Sequence, residues 1–103
     1  MESATETPEI LGFLIAHRVD SDWELENIVV KEAARGQGIG SMLLRVLITS
    51  ARSLGGKSIC LEVRESNLSA RALYQRAGFQ KTGVRKSYYT EPPEEAILYR
   101  MTV

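Results

Sequence analysis

A short glycine-rich segment, residues 35–40 with the sequence RGQGIG, has the composition and spacing of a phosphate-binding loop. Glycines let the backbone turn its N–H groups toward an anion, because no Cβ stands in the way. A helix predicted to start at its end would add the positive end of its dipole. The same glycines would also suit a tight turn, so the segment predicts either a phosphate cradle or a plain turn.

Two familiar nucleotide-binding loops fit this segment poorly. The dinucleotide fingerprint has an acidic residue about 20 positions after its glycines, and Glu62 lies at about that distance from Gly40. However, the third glycine would fall on Ser41, and five residues separate Val30 from Gly36. The chain is also too short for the second half of a dinucleotide fold. A P-loop fails because no Lys-Ser or Lys-Thr pair follows the glycines.

Glu62 is a carboxylate in a predicted strand that is otherwise apolar. A charge at such a position is costly unless it faces a wet cleft or has a partner. Glu62 could therefore act as a general base toward an amine, or it could form an ion pair with Arg64 or Arg85. Cys60 alternates with Glu62 and would share its face, but a lone cysteine in a strand usually serves packing.

Three tyrosines are placed where a phenol could do chemistry or bind a peptide. Tyr74 lies near the end of a predicted helix, and its ordinary pKa of about 10 suits the return of a proton to a thiolate. It could equally be a core residue beside Leu73 and Phe79. Tyr88 and Tyr89 are adjacent in a predicted loop. Paired tyrosines bring surface and a hydroxyl with few rotamers, so they suit an acceptor site, although they could also pack on the sheet.

The elements that must position these residues begin with a hairpin. Alternating apolar residues at 11–19 predict a strand buried on at least one side. Residues 23–30 predict a second strand, and a cluster of Asp and Ser forms the turn between the two. An amphipathic helix follows the glycine loop and ends at Gly55 and Gly56. Its predicted apolar stripe consists of Ile39, Met42, Leu43, Val46, Leu47 and Leu54.

A strand and a helix come next. Residues 58–63 predict a short apolar strand. The helix after it is capped by Ser66 or Asn67 and runs to Gly78. A strand, helix, strand unit requires a right-handed crossover and a parallel pair of strands.

The last part of the chain predicts two more strands, at residues 79–85 and 96–101. A polar loop joins them, in which Pro92 and Pro93 forbid regular structure. The order of elements is then ββαβαββ. We therefore expect an α/β fold with a mixed, partly parallel sheet and helices packed on it.

Composition predicts one ordinary domain and excludes several classes of function. With 103 residues the chain has room for one core, so we expect a single domain at residues 10–103 behind a flexible leader at residues 1–9. Thirteen basic and thirteen acidic residues leave no net charge for binding nucleic acid. One cysteine and one histidine are too few for a disulfide or a metal cluster. No apolar run suits a membrane span and no signal peptide is evident, so a cytoplasmic protein is expected.

Four motifs, in order, resemble those of the GNAT family of N-acetyltransferases. The motifs are RGQGIG at 35–40, LEVRESN at 61–67, ALYQRAGF at 72–79, and RKSYY at 85–89 before a proline-containing segment and EAI at 95–97. The set looks like the branch that acetylates protein N-termini, in particular the ribosomal-protein-alanine acetyltransferases. The resemblance covers residues 10–103. It implies an acetyl-CoA-dependent enzyme that works by direct attack, without a covalent enzyme intermediate.

The resemblance also implies where acetyl-CoA is held. The main chain of Ile28 and Val30 would pair with the pantetheine arm as if it were another strand. Arg35 would contact phosphate or remain solvated, and Asn67 would contact the arm or simply cap its helix. Tyr74 would lie at the coenzyme sulfur. Backbone amides would hold the pyrophosphate at Gly36, Gly38, Ile39 and Gly40.

One departure from the family concerns the start of the chain. The resemblance implies a strand and two helices before the position of Leu11, and we therefore expect a domain that is N-terminally shortened relative to the family. Those helices help to form one wall of the acceptor groove. We therefore expect an uncovered sheet face and edge, and a homodimer that covers them. Two other functions stay open: a non-catalytic acyl-CoA-binding module, and an acetyltransferase for a small amine or a lysine side chain.

Overall fold

A β-hairpin begins the part of the chain that the computed structural model describes, residues 9–103. Strand β1 (Gly12–Val19) and strand β2 (Asp22–Val30) pair in antiparallel fashion. Asp20 adopts the left-handed region in the turn, which a short polar side chain tolerates. Both predicted strands and the turn are confirmed. Residues 1–8 of the predicted leader lie outside the described residues.

Helix α1 (Ile39–Ser53) follows the glycine loop and ends where it was predicted to end. Gly55 lies just beyond it in the left-handed region, with a φ of +77°. The predicted apolar stripe is only partly right, because α1 carries apolar residues on more than one side and the sheet covers only one of them. The exposed members of the predicted stripe are Met42, Val46 and Leu54, whereas the buried residues of α1 are Leu44, Leu47 and Ala51.

Strand β3 (Ser58–Arg64) and helix α2 (Leu68–Ala77) also form as predicted. Asn67 caps α2, since its Oδ1 accepts a hydrogen bond from the Ala70 amide at 3.2 Å. Gly78 ends the helix in the left-handed region, with a φ of +107°. These boundaries place the LEVRESN segment on β3 and in the turn that leads into α2.

The last two strands are longer than predicted, and the predicted loop between them is wrong. Strand β4 (Gln80–Thr90) and strand β5 (Pro93–Thr102) form an antiparallel hairpin. Pro93 is tolerated because the first residue of a strand need not donate to the ladder. Tyr88 and Tyr89 consequently lie within β4 and not in a loop.

The five strands form one sheet in the order β1-β2-β3-β5-β4, and the elements follow the predicted order ββαβαββ. Strands β2 and β3 are the parallel pair, but they pair only over Asp22–Glu24 and Ser58–Cys60. Glu26 has no partner on β1 and forms a bulge just beyond this stretch. The predicted mixed α/β sheet is confirmed, and its parallel pair is short.

Both helices pack on the same face of this sheet, and the core lies between them and the strands. The side chains of β3 alternate, so that Ile59, Leu61 and Val63 are buried in the core. Cys60 and Glu62 therefore lie on the opposite face. The other core residues are Leu25, Leu44, Leu47, Ala51, Tyr74, Phe79, Ile97 and Tyr99. Within residues 9–103, neither helix is long and apolar enough to cross a membrane.

An apolar patch lies on the outer face of the first hairpin, beside the edge strand β1. It consists of Leu11, Phe13, Ile15 and Val29, which share a face because Phe13 and Val29 are paired across the two strands. These four side chains are 36–48% exposed. Strand β1 is therefore buried on one side only. We refer to these four residues as the β1 patch.

Candidate functional site

A cleft of about 510 Å³ opens beside the end of β2, between the glycine loop and helix α2. We refer to it as the glycine-loop cleft. All eight residues for which the sequence predicts contact with the phosphates or the pantetheine arm lie on its wall: Ile28, Val30, Arg35, Gly36, Gly38, Ile39, Gly40 and Asn67. Six residues that the sequence motifs do not predict also line it: Val29, Ser41, Ser69, Ala70, Leu73 and Arg76. The last four have the spacing of one helix face, which is the signal that could have identified them.

The glycine loop has two residues in the left-handed region that favours glycine. Gly36 and Gly38 both have a φ of +80°. A Cβ at either position would meet no atom within 4 Å, so the space beside them is open. The first hydrogen bond of α1 joins the Met42 amide to the Gly38 carbonyl at 3.0 Å. The amides before Met42 therefore have no acceptor within the helix, and together with the helix dipole they form an anion-binding site.

The charged side chains on this cleft are arginines. Arg35 donates from Nε to the Val30 carbonyl at 3.1 Å, which anchors its guanidinium beside the loop. Arg76 lies on the α2 wall, and no acidic residue within residues 9–103 lines the cleft. Asn67 uses its Oδ1 to cap α2, so a contact from Asn67 to a ligand would come from its amide nitrogen. The cleft is electropositive and suits a phosphorylated ligand.

A second cleft, of about 710 Å³, lies on the sheet face opposite the helices. We refer to it as the Glu62 cleft. Its wall comprises Glu24, Leu25, Glu26, Cys60, Leu61, Glu62, Thr82, Arg85, Tyr88, Tyr89, Leu98, Tyr99 and Arg100. Cys60 contacts Arg100 there, with Sγ 3.6 Å from Nη1. In the described part of the chain, no three or more His, Cys, Asp and Glu side chains are grouped so that they could hold a metal ion.

Glu62 lies on the wall of its cleft and forms an ion pair there. Its Oε1 is 2.7 Å from Nη2 of Arg85, and its side chain is 29% exposed. Of the two partners that the sequence left open, Arg85 is the one used, whereas Arg64 pairs with Glu94. The ion-pair interpretation of Glu62 is therefore confirmed, with Arg85 as the partner. The role of general base stays a prediction, and the carboxylate is accessible from the cleft.

Tyr74 is a core residue and lines neither cleft. Its ring packs against Phe79 and Tyr99, with centroid distances of 5.9 Å and 6.2 Å. Burial raises the pKa of Tyr74, and the nearby phenol of Tyr89 raises it further. The phenol of Tyr74 is therefore protonated at neutral pH. Because Tyr99 lines the Glu62 cleft, the ring of Tyr74 lies behind the wall of that cleft.

Tyr88 and Tyr89 both line the Glu62 cleft although they are neighbours in one strand. A regular strand would direct them to opposite faces. The pairing of β4 with β5 is irregular between Arg85 and Tyr89, and Ser87 has a φ of +51°, so the alternation is broken there. The two rings meet edge to face, with centroids 5.1 Å apart. Burial, followed by the charge of Glu62, raises the pKa of Tyr89.

Comparisons of the sequence and of the fold with known proteins all point to the same family. Residues 3–79 match the model described as Acetyltransferase (GNAT) family. A [ribosomal protein bS18]-alanine N-acetyltransferase of Haemophilus influenzae is 41% identical over 87 residues, covering 84% of this chain and 59% of that protein.

Solved structures agree with the sequence comparison. The ribosomal-protein-S18-alanine N-acetyltransferase from Escherichia coli superposes with a TM-score of 0.87 at 35% identity, over 96% of this chain and 65% of that one. A GNAT family acetyltransferase from Elizabethkingia anophelis with acetyl-CoA bound has a TM-score of 0.85 at 28% identity, over 92% and 70% of the two chains. This chain spans 56–61% of the length of the first three curated relatives that it matches. The matched sequence and the shared fold together show that the chain belongs to the GNAT family of acetyltransferases.

Proposed function

We propose that this chain transfers an acetyl group from acetyl-CoA to an amine, and that the acceptor is the α-amine of a protein N-terminus. The observation that carries the proposal is the placement of the two clefts, which follow one another along β2. Residues 28–30 line the electropositive glycine-loop cleft, and residues 24–26 line the cleft that holds Glu62. Family membership and relatives named as [ribosomal protein bS18]-alanine N-acetyltransferases support the same reaction.

The donor side of the proposal uses the glycine-loop cleft. The free amides at the start of α1 and in the loop bind the pyrophosphate, and Arg35 adds a positive charge. The main chain of Ile28 and Val30 pairs with the pantetheine arm, because in the described residues β2 has no pairing with β3 beyond Glu24. The amide group of Asn67 contacts the same arm. This orientation directs the thioester along β2 toward the Glu62 cleft.

The chemical step in this proposal is a direct attack. The amine nitrogen forms a bond to the thioester carbonyl carbon, the carbon–sulfur bond breaks, and Cys60 takes no part. An α-ammonium has a pKa of about 7.7 to 8.0, so it needs little help to lose its proton. Glu62 accepts that proton through one water. Tyr74 returns a proton to the departing thiolate, since its raised pKa keeps the phenol protonated until the thiolate forms.

The acceptor side of the proposal uses Tyr88 and Tyr89. Two adjacent rings on the wall of an open cleft offer a large surface and two hydroxyls to an extended peptide. A small amine would contact little of this surface. A lysine side chain would enter the cleft without bringing a peptide terminus into contact with the two rings. A protein N-terminus is therefore the acceptor that uses most of the wall.

A non-catalytic acyl-CoA-binding module is the second candidate. Two observations favour it: Arg85 engages the carboxylate of Glu62, and Tyr74 lines neither cleft. A module of this kind would keep the glycine-loop cleft and bind acetyl-CoA without turning it over. The two candidates therefore agree on the ligand and differ on the reaction.

The proposal is tested by binding and turnover measured separately. We expect calorimetry to detect binding of acetyl-CoA and none of NAD, because the loop has GNAT and not dinucleotide spacing. We expect release of free thiol from acetyl-CoA with short peptides that differ in their first residue, and little release with lysine or a small amine. Binding of acetyl-CoA without turnover of any acceptor would favour the binding module. Tight binding of NAD would contradict both candidates.

A homodimer belongs to the same proposal, because in residues 9–103 the β1 patch lies beside an edge of β1 that pairs with no other strand. An apolar face beside an unpaired strand edge favours association with a second copy through a two-fold axis. We expect sedimentation analysis over a dilution series to show a dimer that dissociates at low concentration. Phe13→Ser should shift this equilibrium toward monomer, whereas Val46→Ser, an exposed apolar residue of α1, should not. A folded monomer at every concentration would contradict the dimer.

A further inference from the structure

The end of β3 carries a cation that holds the tip of the β4–β5 hairpin. The guanidinium of Arg64 reaches the turn that joins the two strands, two residues after Glu62 in the chain. We propose that Arg64, together with Glu94, is a positioning residue that fixes Tyr89 in the acceptor wall. This inference rests on the proposed function, in which Tyr88 and Tyr89 bind the acceptor.

The contacts of Arg64 use several of its donors at once. Nη1 donates to the carboxylate of Glu94 at 3.2 Å and lies 3.4 Å from the Pro92 carbonyl, while Nη2 lies 3.4 Å from the Glu91 carbonyl. The guanidinium carbon is also 4.1 Å from the ring centroid of Tyr89, which is a cation–π distance. A planar cation with a fork of donors can make all of these contacts together, and an ammonium group cannot.

Glu94 connects the same tip to a third element. Its other carboxylate oxygen accepts a hydrogen bond from the amide of Ser66, in the turn just before the cap residue Asn67. The Glu94 side chain is only 12% exposed, whereas that of Arg64 is 35% exposed. The pair thus joins the hairpin tip both to β3, which carries Glu62, and to the start of α2, which lines the glycine-loop cleft.

The hairpin needs such a contact because its own pairing is interrupted. Between Arg85 and Tyr89 the register with β5 shifts, and β4 is the edge strand of the sheet. Only Tyr89 and Thr90 are paired with β5 beyond this irregularity. A short paired tip is a weak support for two aromatic rings. Arg64 supplies side-chain contacts to the ring of Tyr89 and to the carbonyls of Glu91 and Pro92 in the turn.

The test compares Arg64→Met, Arg64→Lys and a control, Arg52→Met, at an exposed position of α1. Methionine keeps much of the apolar stem and removes the charge and every donor. We expect Arg64→Met to raise the KM for a short peptide that begins with alanine by about tenfold, the size of one lost charge-assisted contact. The kcat should change much less, and the affinity for acetyl-CoA should stay as in the unchanged chain. Arg64→Lys should recover part of the loss, and Arg52→Met should show none.

A second readout does not depend on activity. Hydrogen exchange of the amides in residues 85–94 should become faster in Arg64→Met and in Glu94→Gln, and the double variant should be no faster than either. Unchanged exchange and unchanged KM would overturn the positioning role. Equal losses in kcat, acetyl-CoA affinity and melting temperature would also overturn it, because they would indicate a general structural role. If no peptide is acetylated by the unchanged chain, the proposed function fails, and the exchange of residues 85–94 still decides whether Arg64 holds the hairpin.

Discussion

We expect the replacement of Gly38 with valine to abolish the binding of acetyl-CoA while the chain stays folded. The φ of Gly38 is +80°, and a Cβ there would stand in the open space of the glycine-loop cleft, where the pyrophosphate is proposed to lie. A β-branched side chain would both obstruct the ligand and disturb the loop amides. Calorimetry with acetyl-CoA measures the loss, and circular dichroism reports whether the fold is kept.

Gly55→Val provides a matched control for this result. Gly55 has a φ of +77° and also has no atom within 4 Å of an added Cβ, but it lies beyond the other end of α1. Both substitutions place a side chain in the left-handed region, at a cost of roughly 1–2 kcal/mol. We expect similar losses of stability, with acetyl-CoA affinity retained only in Gly55→Val. Equal affinities in the two variants would remove the glycine loop from the site.

Glu62→Gln and Tyr74→Phe each lower kcat by about 10²-fold or more, if both groups transfer protons as proposed. Neither change should alter acetyl-CoA affinity much, because neither residue lines the glycine-loop cleft. Thiol release at saturating acetyl-CoA measures kcat, and calorimetry measures affinity. A double variant no slower than either single variant would show that the two groups act as a unit.

Two further variants separate the proton-transfer roles from structural ones. Arg85→Gln removes the ion-pair partner but leaves the carboxylate of Glu62, so its loss of kcat should be smaller than that of Glu62→Gln. Tyr99→Phe removes a buried hydroxyl that accepts hydrogen bonds from Arg71 and Gln75, so it should lower stability rather than kcat. Unchanged kcat in both Glu62→Gln and Tyr74→Phe would exclude the two side chains from the mechanism.

The pH dependence of kcat gives an independent check on Tyr74. Burial raises its pKa above the ordinary value of 10.0, so the phenol keeps its proton to higher pH than a free tyrosine would. Any loss of activity caused by ionisation of Tyr74 should therefore begin only above about pH 10. An alkaline limb near neutrality that vanished in Tyr74→Phe would contradict this assignment.

Local signals predicted most of the fold. The alternation in residues 11–19, the Asn67 cap and the glycines that follow each helix act over a few residues, so the sequence displays them directly. Pro93 was misread because its effect depends on where it stands: a proline ends a regular strand but can begin one. The stripe on α1 was misread because Met42 and Leu44 are both apolar, and only the position of the sheet decides which is buried.

The two clefts of the candidate site also differ in how far the sequence predicts them. The glycine-loop cleft could be predicted because its ligands are mainly backbone amides, and the glycines that expose them are visible in the sequence. The Glu62 cleft depends on side-chain contacts between distant strands. Glu62 pairs with Arg85 and not with Arg64 because of the register of β3, β5 and β4. Tyr88 and Tyr89 both face the cleft because β4 is irregular at Ser87. Neither the ion pair nor the orientation of the tyrosines has a local signature in the sequence.

A net charge of zero conceals a separation of charge between the two clefts. The charged side chains of the glycine-loop cleft are Arg35 and Arg76, whereas three glutamates of the described residues share the other cleft with two arginines. A phosphorylated ligand that approaches from solvent therefore meets a local positive field, although the chain as a whole has no net charge. Such steering acts over about one Debye length, roughly 8 Å at physiological ionic strength. The rate of capture of a polyanionic ligand should thus fall as salt is added, while a neutral ligand would be captured at the same rate throughout.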